Sequence, residues 1–394
     1  MKYCVVILDG AAGYPLPERG NKTSLELART PNLDAMATEG MVGLARTIPP
    51  GMEASSDNAC LSILGYDPRR YHQGRAAIEA VSMGITTDGA VVFRANLVTV
   101  EGGRMRDYSA GHILTDEARL LIGALNDKIG ENGVYLYPGV SYRHILKLKG
   151  HDDTLLAHCT PAHDIPGKPV EEFLPRGIGS ELLREIMECS VPVLADHPVN
   201  TARSRRGELP ATMLWLFWGS GKTVDVPDFK RLYGVKAAVT SAVDVLRGLV
   251  QMMGMAVLEI PGVKDGLDND FSAQAKGALD ALKTHDLVVI HIEATDEAAH
   301  CGSVEDKVAA IERTDSEVLG QVFSFKGDSL RVLVTPDHPT PIATRTHSPD
   351  PVPFLIWGAG LNRNGAKRLT EVEGKATGFF MEDGYNIMGR LITG

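Results

Sequence analysis

The amino-acid sequence predicts an α/β protein with a mainly parallel central sheet and a smaller inserted α+β domain. Short apolar segments alternate with helix-like segments along much of the chain. Three of these segments are almost continuously apolar, as expected of strands that are buried on both faces: 3–9 (YCVVILD), 287–293 (LVVIHIE) and 331–337 (RVLVTPD). Each of the three stops at an Asp or within a few residues of one, so their carboxyl ends are expected to share one site.

The middle of the chain has a different pattern, which predicts the inserted domain. Strand-like segments occur at VVFRANLVTV and YRHILKLKG, residues 151–170 are polar and turn-rich, and a short helix is expected near 180–189. We therefore predict an inserted α+β domain at residues 89–225. Residues 1–88 and 226–394 form the larger, discontinuous domain, and 394 residues suffice for two or three domains.

Composition excludes several classes of function. The formal net charge is −10 and no long Lys/Arg run is present, so a nucleic-acid partner is not expected. The 5 cysteines form no CxxC pair, which argues against a disulfide framework and a structural zinc site. The apolar run before Asp9 is too short for a signal peptide, and no segment approaches the ~18 apolar residues of a membrane span. We expect a cytoplasmic, soluble protein, and no pattern predicts its oligomeric state.

The segment ATDEAAH, directly after the second strand, places an acid and a histidine four positions apart. On a helix, Asp296 and His300 then share one face and can reach one ion. Proline-braced loops follow the third strand, and they carry Asp337, His338 and His347. With Asp9, three Asp and three His residues lie near strand ends.

Mixed carboxylate and imidazole donors suit Mn²⁺ or Zn²⁺, and Mg²⁺ or Co²⁺ are further options. Six ligands exceed what one catalytic ion with an open position needs, so we predict two divalent ions. Such pairs lie ~3.5–4 Å apart and clamp phosphoryl oxygens in displacement reactions. Asp337 and His338 are adjacent, so they either serve one ion or bridge both.

A candidate nucleophile lies in 54-ASSDNACLSILGYDP-68, where Ser55, Ser56 and Asp57 precede a helix-like apolar run. Small polar residues at a helix N-terminus often act only as caps. Beside metal ions, however, a serine hydroxyl can attack phosphorus and form a phosphoserine. The backbone N–H groups at the start of the helix can then help to hold the anion.

Five motifs together resemble the archaeal-type cofactor-independent phosphoglycerate mutases of the alkaline phosphatase superfamily: LDG at 8–10, SSDNACLSILGYDP, ATDEAAH, TPDHPTP and TH at 346–347. The resemblance covers nearly the whole chain. It implies an alkaline-phosphatase-like core and metal-dependent interconversion of 3-phosphoglycerate and 2-phosphoglycerate through a phosphoserine, without bisphosphoglycerate.

The resemblance also implies roles for individual residues. One metal is held by Asp296, His300 and His347, and the other by Asp9, Asp337 and His338. Ser56 lies between the metals as nucleophile and ligand. Ser56 is preferred to Ser55 because the family motif reads GSD and Ser56 precedes the Asp. This chain has Ser55 where the family usually has Gly, so a one-residue ambiguity remains.

The inserted domain is expected to bind the substrate, a small phosphorylated acid. Guanidinium, ammonium and imidazole groups bind such anions, and the candidates are Arg94, His112, Arg143, His144, His163, Asp164, Lys168, Arg203 and Lys222. In 107-DYSAGHI-113, Tyr108 and His112 stand where the mutases more often have arginines.

Two other activities fit the same site. Tracts such as 107–113 and 197-HPVNTAR-203 resemble a sister group proposed to phosphorylate homoserine in threonine biosynthesis. No nucleotide-binding motif accompanies them, so the phosphoryl donor is unexplained. A phosphatase is the other alternative, and it requires only that water reaches the phosphoserine.

Overall fold

The structure is a computed structural model that describes residues 1–72, 74–130, 132–221, 226–325 and 329–394. Its strands, in chain order, are Lys2–Leu8 (β1), Met41–Ala45 (β2), Val91–Glu101 (β3), Arg104–Asp107 (β4), Val134–Tyr137 (β5), Arg143–Leu148 (β6), Met213–Ser220 (β7), Ala237–Thr240 (β8), Ala256–Val257 (β9), Leu287–Ile292 (β10), Leu330–Thr335 (β11), Val352–Gly358 (β12) and Phe380–Met381 (β13).

The α-helices are Ser24–Leu27 (α1), Pro31–Glu39 (α2), Ser56–Ile63 (α3), Pro68–Tyr71 (α4), Arg75–Ser82 (α5), Thr115–Ile129 (α6), Ser180–Ala195 (α7), Pro198–Arg205 (α8), Phe229–Tyr233 (α9), Asp244–Met252 (α10), Phe271–Ala281 (α11), Ala294–Cys301 (α12), Val304–Arg313 (α13), Gly320–Phe323 (α14), Glu371–Ala376 (α15) and Ile387–Thr393 (α16). Short 3-10 segments lie at Pro17–Arg19, Asp152–Leu156, Ala162–Asp164, Val170–Phe173 and Gly384–Asn386, and a π-helical segment at Thr314–Leu319.

The chain separates into two compact units, Met1–His72 with Asp225–Gly394 and Gln73–Val224. The second unit therefore starts earlier in the chain than the predicted boundary at residue 88. The reason is α5, whose Ala76, Ala77 and Ala80 pack against Val92 of β3 and Ile145 of β6. This helix buries its apolar face on the smaller sheet, so it belongs to the second unit.

The first unit is built on a mixed, mainly parallel sheet with the strand order β13-β2-β12-β11-β1-β10-β8-β9. Only the pairs that β12 makes with β11 and β2 are antiparallel. The predicted α/β class and the three predicted strands β1, β10 and β11 are confirmed. These strands read as continuous apolar runs because they lie inside the sheet with helices on its faces, where α11, α13 and α2 contribute to one core.

The central strands of this sheet place the candidate ligands. Strand β1 lies between β11 and β10 and runs parallel to both, with Ile7 opposite Thr335 and Leu8 opposite Ile292. The carboxyl ends of the three strands therefore reach the same sheet edge, where Asp9, Asp337 and the start of α12 follow. This edge is where α/β sheets bind ligands.

The second unit is an antiparallel sheet in which β3 pairs with β4, β6 and β7, and β6 pairs with β5. Side chains alternate between the faces of a strand. Val91, Phe93, Ala95 and Leu97 of β3 share a core with α6 and α7. Val92, Arg94 and Asn96 are directed to the other face, where α5 packs. The helix expected near 180–189 is the longer α7, which continues to Ala195.

In the part of the chain that the structure describes, the helices are too short or too polar to cross a membrane.

Candidate metal centre and active site

Gly10 lets the strand ends approach one another. Its φ is +60°, and a Cβ at this position would lie 2.2 Å from Asp296 Oδ1. The Gly10 N–H donates to Asp337 Oδ1 over 2.9 Å, and the His338 N–H donates to the same oxygen over 2.7 Å. The LDG motif therefore ends in Gly10 because this position has a left-handed backbone conformation and leaves no room for a Cβ atom.

The first ligand group consists of Asp9, Asp337 and His338, whose ligand atoms lie within 4.8 Å of one another. His338 Nε2 is 3.5 Å from Asp9 Oδ1 and 3.3 Å from Asp337 Oδ2. Both oxygens are buried and lack a hydrogen-bond partner among the described residues. Buried carboxylate oxygens without partners are costly. A cation between them and the imidazole would compensate that cost.

Thr340 sets the tautomer of His338. Its hydroxyl donates to Asp296 Oδ1 over 2.5 Å and lies 3.2 Å from His338 Nδ1. Since the hydroxyl proton is used on Asp296, the Thr340 oxygen accepts the Nδ1–H of His338. The Nε2 atom of His338 then carries a lone pair, which is the form that binds a metal.

The second ligand group is Asp296, His300 and His347. Asp296 Oδ2 lies 3.0 Å from His300 Nε2 and 3.5 Å from His347 Nε2, and the two Nε2 atoms are 3.0 Å apart. Each Nδ1 lies near a backbone carbonyl, that of Arg345 at 2.9 Å for His300 and that of Ala54 at 3.2 Å for His347. Carbonyls only accept, so both neutral rings present Nε2 lone pairs toward Asp296.

The directions of the pKa shifts are consistent with two groups that attract positive charge. Burial raises the pKa of Asp9 well above its usual value, and the neighbouring Asp337 and Asp296 add to the effect. Burial raises the pKa of Asp296, but in the metal-free protein hydrogen bonds from His300 and His347, once their Nε2 atoms are protonated, outweigh burial and hold this pKa well below the usual range. The bond to Asp296 raises the pKa of His300 to about 9. In the absence of a metal, a proton on His300 supplies charge where a cation fits.

Ser56 is the first residue of α3, and its Oγ lies 3.1 Å from His338 Nε2. Ser55 is the N-cap, and its Oγ accepts a hydrogen bond from Asn58 Nδ2 at 3.1 Å. The geometry therefore favours Ser56 over Ser55 as the nucleophile. Asp57 is buried and lies 2.8 Å from His72 Nε2, so it supports the start of α3.

The donor set fits divalent cations. Three carboxylates and three imidazoles converge beside a hydroxyl, and thiolates take no part in these groups. Asp296, His338 and His347 also offer atoms within 4.8 Å of one another. His338 thus lies between the two groups, and its ring stacks on that of His347 at 4.0 Å.

His291 is buried beside Asp9 and Glu293 is partly buried there, and the sequence interpretation missed both. Together with Asp9 they form a further group of potential metal ligands. Both lie at the end of β10, where the apolar run was interpreted as strand alone. The available signal was a histidine and a glutamate within an otherwise apolar segment.

In the second unit, charged and aromatic side chains gather on the α5 face of the sheet. Arg94 donates to Asn96 Oδ1 over 3.0 Å and forms an ion pair with Glu79 of α5. The guanidinium of Arg75 lies 4.7 Å from the Trp218 ring centroid, and His163 packs against the same indole at 5.4 Å. Arg75 and Trp218 were not among the predicted residues.

Trp218 has a φ of +52°, which is unusual for a bulky residue. It lies where the register between β3 and β7 shifts, so the strand bulges there. Backbone strain of this kind clusters at functional sites. The bulge places the indole between Arg75 and His163.

A second aromatic group contains His112, Tyr108 and Tyr142. The Tyr142 ring lies 5.8 Å from His112 and 5.9 Å from Tyr108, and the guanidinium of Arg143 is 5.9 Å from its centroid. Tyr108 also faces His163 at 6.4 Å. The structure thus brings His112, Arg143 and His163 into one connected set of rings and cations.

The other substrate candidates have different surroundings. Arg203 is buried and donates to Glu117, to Leu209 O over 3.0 Å and to Ala110 O over 2.9 Å. Its guanidinium is occupied, so we propose a structural role instead of the predicted substrate contact. His144 is also buried: its Nδ1 accepts the Gly139 N–H at 3.0 Å, and strand alternation directs it away from the α5 face.

Asp164 and Lys168 lie at the surface, where Lys168 Nζ donates to Asp164 O over 3.0 Å. Asp164 Oδ1 also lies 3.7 Å from His163 Nε2, so it adjoins the group around Trp218, whereas Lys168 Nζ lies over the Phe173 ring at 5.5 Å. Lys222 lies outside the described residues.

Fold and site together define an α/β protein with a carboxylate–imidazole metal centre beside a serine. A family model described as 2,3-bisphosphoglycerate-independent phosphoglycerate mutase matches residues 37–200. A protein of that name from Methanothrix thermoacetophila is 46% identical over 100% of both chains. A Geobacter sulfurreducens protein named as a probable mutase of this kind is 42% identical over 100% of both chains.

Solved structures agree. A protein from Pyrococcus horikoshii superposes with a TM-score of 0.82 at 28% identity, covering 99% of this chain and 96% of that one. A cofactor-independent phosphoglycerate mutase from Thermoplasma acidophilum gives 0.71 at 26% identity, covering 100% and 99%. The chain belongs to the 2,3-bisphosphoglycerate-independent phosphoglycerate mutase family, which confirms the resemblance seen in its motifs.

Proposed function

We propose that this protein interconverts 3-phosphoglycerate and 2-phosphoglycerate without bisphosphoglycerate, through a phosphoserine at Ser56. The observation that carries the proposal is the position of the Ser56 hydroxyl, 3.1 Å from His338 Nε2 at the metal-ligand cluster. Full-length relatives named as mutases of this type support the choice of substrate.

Ser56 is the nucleophile in the first half of the reaction. Its oxygen forms a bond to phosphorus as the bond from phosphorus to the C3 oxygen of 3-phosphoglycerate breaks, and the departing oxygen takes up a proton. In the second half the C2 oxygen of the same glycerate attacks the phosphoserine, and Ser56 recovers its proton. Atoms and charge balance, and water must be excluded throughout.

We propose that two divalent ions are held by Asp9, Asp337 and His338 and by Asp296, His300 and His347, with Mn²⁺ or Zn²⁺ preferred and Mg²⁺ or Co²⁺ as further options. When bound, these ions would lower the pKa of the Ser56 hydroxyl and neutralise charge on the transferred phosphoryl group. Thr340 keeps His338 in the ligand tautomer. The N–H groups at the start of α3 can help to hold the same anion.

The cations of the second unit suit the anionic substrate. Arg75, Arg94 and Arg143 outnumber the nearby acid Glu79, so the α5 face of that sheet retains net positive charge. Guanidinium groups bind carboxylate and phosphate through two parallel hydrogen bonds. We assign the binding of the glycerate to this face, with His163 and Trp218 beside the guanidinium groups.

The test is to trap the intermediate. Acid-quenched protein, mixed with ³²P-labelled 3-phosphoglycerate and Mn²⁺, should carry label on the peptide that contains Ser56. Ser56→Ala should carry none and lose at least ~10⁴-fold in kcat, as nucleophile variants do. Ser55→Ala is the matched control and should retain label and turnover. Label on Ser55→Ala but not on Ser56→Ala supports the proposal, and label on Ser56→Ala contradicts it.

One observation favours a different acceptor. Tyr108 and His112, whose rings pack against Tyr142, stand where the family more often has arginines, and a less anionic acceptor such as homoserine needs fewer cations. In the same assay, homoserine-dependent loss of label from a phosphorylated donor would favour a kinase-type transfer. Release of free phosphate at the rate of turnover would favour a phosphatase.

A further inference from the structure

Arg75 and Arg94 of the second unit are held in different ways. Arg94 forms the closer ion pair with Glu79, and its side chain is only 8% exposed. The Arg75 side chain is 45% exposed, and its Nε lies 3.7 Å from Glu79 Oε1. The order is reversed at Trp218, whose ring centroid lies 4.7 Å from the guanidinium of Arg75 and 6.0 Å from that of Arg94. Glu79 therefore mainly holds Arg94, and the indole mainly holds Arg75.

The start of α5 is docked on the end of β7, which places Arg75 beside Trp218. Ser220 Oγ accepts the Ala77 N–H over 3.3 Å and lies 3.5 Å from Trp218 O. Gly74, the N-cap of α5, has a φ of +81°, and a Cβ at this position would lie 2.4 Å from the same Oγ. The close approach therefore requires glycine. The position of Arg75 relative to the indole is thus set by backbone contacts of the helix and the strand.

Trp218 keeps a backbone conformation that does not suit its side chain. Its φ of +52° is one that Gly or Asn adopts more readily than a bulky residue. Phe217 and His163 hold the indole at this place, with ring centroids 4.8 and 5.4 Å away. A bulky residue in a strained conformation indicates that the side chain has a task there.

An indole holds a cation differently from a carboxylate. The ring attracts the guanidinium through its π-electrons, so it takes none of the N–H donors and does not neutralise the charge. A carboxylate partner does both. An arginine that is held by Trp218 therefore keeps its donors and its charge for an anionic ligand.

We propose that Trp218 is a positioning residue for substrate binding, which holds the guanidinium of Arg75 in place to bind the carboxylate or phosphate of the glycerate. This inference rests on the proposed function, since it concerns how the same substrate is held. It adds a residue that touches Arg75 and acts through it.

The test measures the Kd of 3-phosphoglycerate by titration calorimetry with Mn²⁺-loaded protein, in variants that also carry Ser56→Ala so that turnover adds no heat. Trp218→Asn removes the indole and suits the left-handed backbone, so the bulge is kept. It should raise Kd about 3–30-fold. Trp218→Phe keeps an aromatic face and should restore most of the affinity. Tyr385→Asn, the matched control, removes a ring 5.6 Å from the guanidinium of Arg69 in the first unit and should bind as the parent protein does.

Arg75→Met separates positioning from packing. If Trp218 acts through Arg75, adding Trp218→Asn to Arg75→Met should raise Kd no further than Arg75→Met alone. In the protein with Ser56 intact, Trp218→Asn should raise KM by the same factor and leave kcat nearly unchanged. Additive effects of the two changes, or unchanged affinity in Trp218→Asn, overturn the proposal.

Turnover of the wild type is measured separately, so the two proposals can fail separately. Binding of 3-phosphoglycerate without its conversion contradicts the proposed function, while the Kd values of the Trp218 and Arg75 variants still support or overturn this inference. Absence of binding overturns both.

Discussion

The Nε2 atoms of His300 and His347 lie 3.0 Å apart and face the same oxygen of Asp296. Both rings donate Nδ1–H to backbone carbonyls, so their Nε2 atoms are unprotonated. Two such atoms can lie this close together only when a cation or a proton lies between them. Metal binding should therefore stabilise the folded state. At a concentration 100 times Kd, linkage predicts about 2.7 kcal/mol for each ion.

Thermal unfolding with excess Mn²⁺ and after dialysis against EDTA measures this effect. The metal-loaded protein should have the higher Tm, and His347→Ala should reduce the difference. Identical unfolding curves with and without metal would show that the cluster binds no cation.

Thr340 provides a test of the outer hydrogen bonds. Thr340→Val removes the donor to Asp296 and the acceptor for His338 Nδ1 at nearly constant volume. Loss of such partners typically weakens metal binding ~10–100-fold. Thr344→Val, in the same loop with its hydroxyl bonded to Pro341 O, should bind metal as the wild type does. Equal Mn²⁺ affinities for Thr340→Val and the wild type would contradict the tautomer assigned to His338.

Two arginines of the second unit should behave in opposite ways. Arg75→Met should raise KM about 10–100-fold, the value of a charge-assisted hydrogen bond of ~1.5–3 kcal/mol. Arg203→Met leaves the carbonyls of Ala110 and Leu209 without their guanidinium donor, while Glu117 keeps its ion pair with Arg206; it should cost ~1–3 kcal/mol of folding free energy, with KM unchanged in the folded fraction. Steady-state kinetics and urea unfolding separate the two roles, and Arg119→Met at the surface is the control. A raised KM for Arg203→Met at normal stability would restore it as a substrate contact.

Buried Lys307 predicts a pH dependence of stability. Its Nζ donates to Ala12 O over 3.0 Å and Thr340 O over 2.8 Å, and burial lowers its pKa from 10.5 to about 8. Between pH 8 and 10.5 the unfolded chain holds more protons at this residue than the folded one. Stability from this residue therefore rises with pH in that window, by about 3 kcal/mol, and below pH 8 the full cost of the charge is present.

Urea unfolding of the wild type and Lys307→Met at pH 8 and pH 10 isolates this contribution. The free energy of unfolding of the wild type should increase relative to that of the variant as pH rises. Parallel pH profiles would mean that Lys307 keeps its ordinary pKa in the folded protein.

The sequence was sufficient for the features that depend on local pattern. The apolar runs of β1, β10 and β11 and the i, i+4 spacing of Asp296 and His300 predict strands and a helix directly. Parallel neighbours then bring Asp9 and Asp337 to the same sheet edge. The order of the motifs along the chain identified candidate ligands that no spacing rule predicts, such as His347, which lies in a loop.

Other features depend on tertiary contacts that the sequence does not encode locally. Arg203 resembles a surface cation in the sequence, but α8 and the loop at Leu209 bury it against Glu117. Trp218 lies beside Arg75 only because β7 bulges. The sequence did not indicate a role for His291, because this residue lies within an apolar strand. Its carboxylate partners are Asp9, which is distant in sequence, and Glu293, two positions further on.

Phosphorus NMR tests the central claim most directly. Metal-loaded protein is incubated with 3-phosphoglycerate and no bisphosphoglycerate, beside an EDTA-treated sample and the Ser56→Ala variant. We expect 2-phosphoglycerate to appear only in the metal-loaded wild type, without free phosphate. Conversion by Ser56→Ala or by the EDTA-treated protein, or phosphate as the product, would contradict a metal-dependent mutase that acts through Ser56.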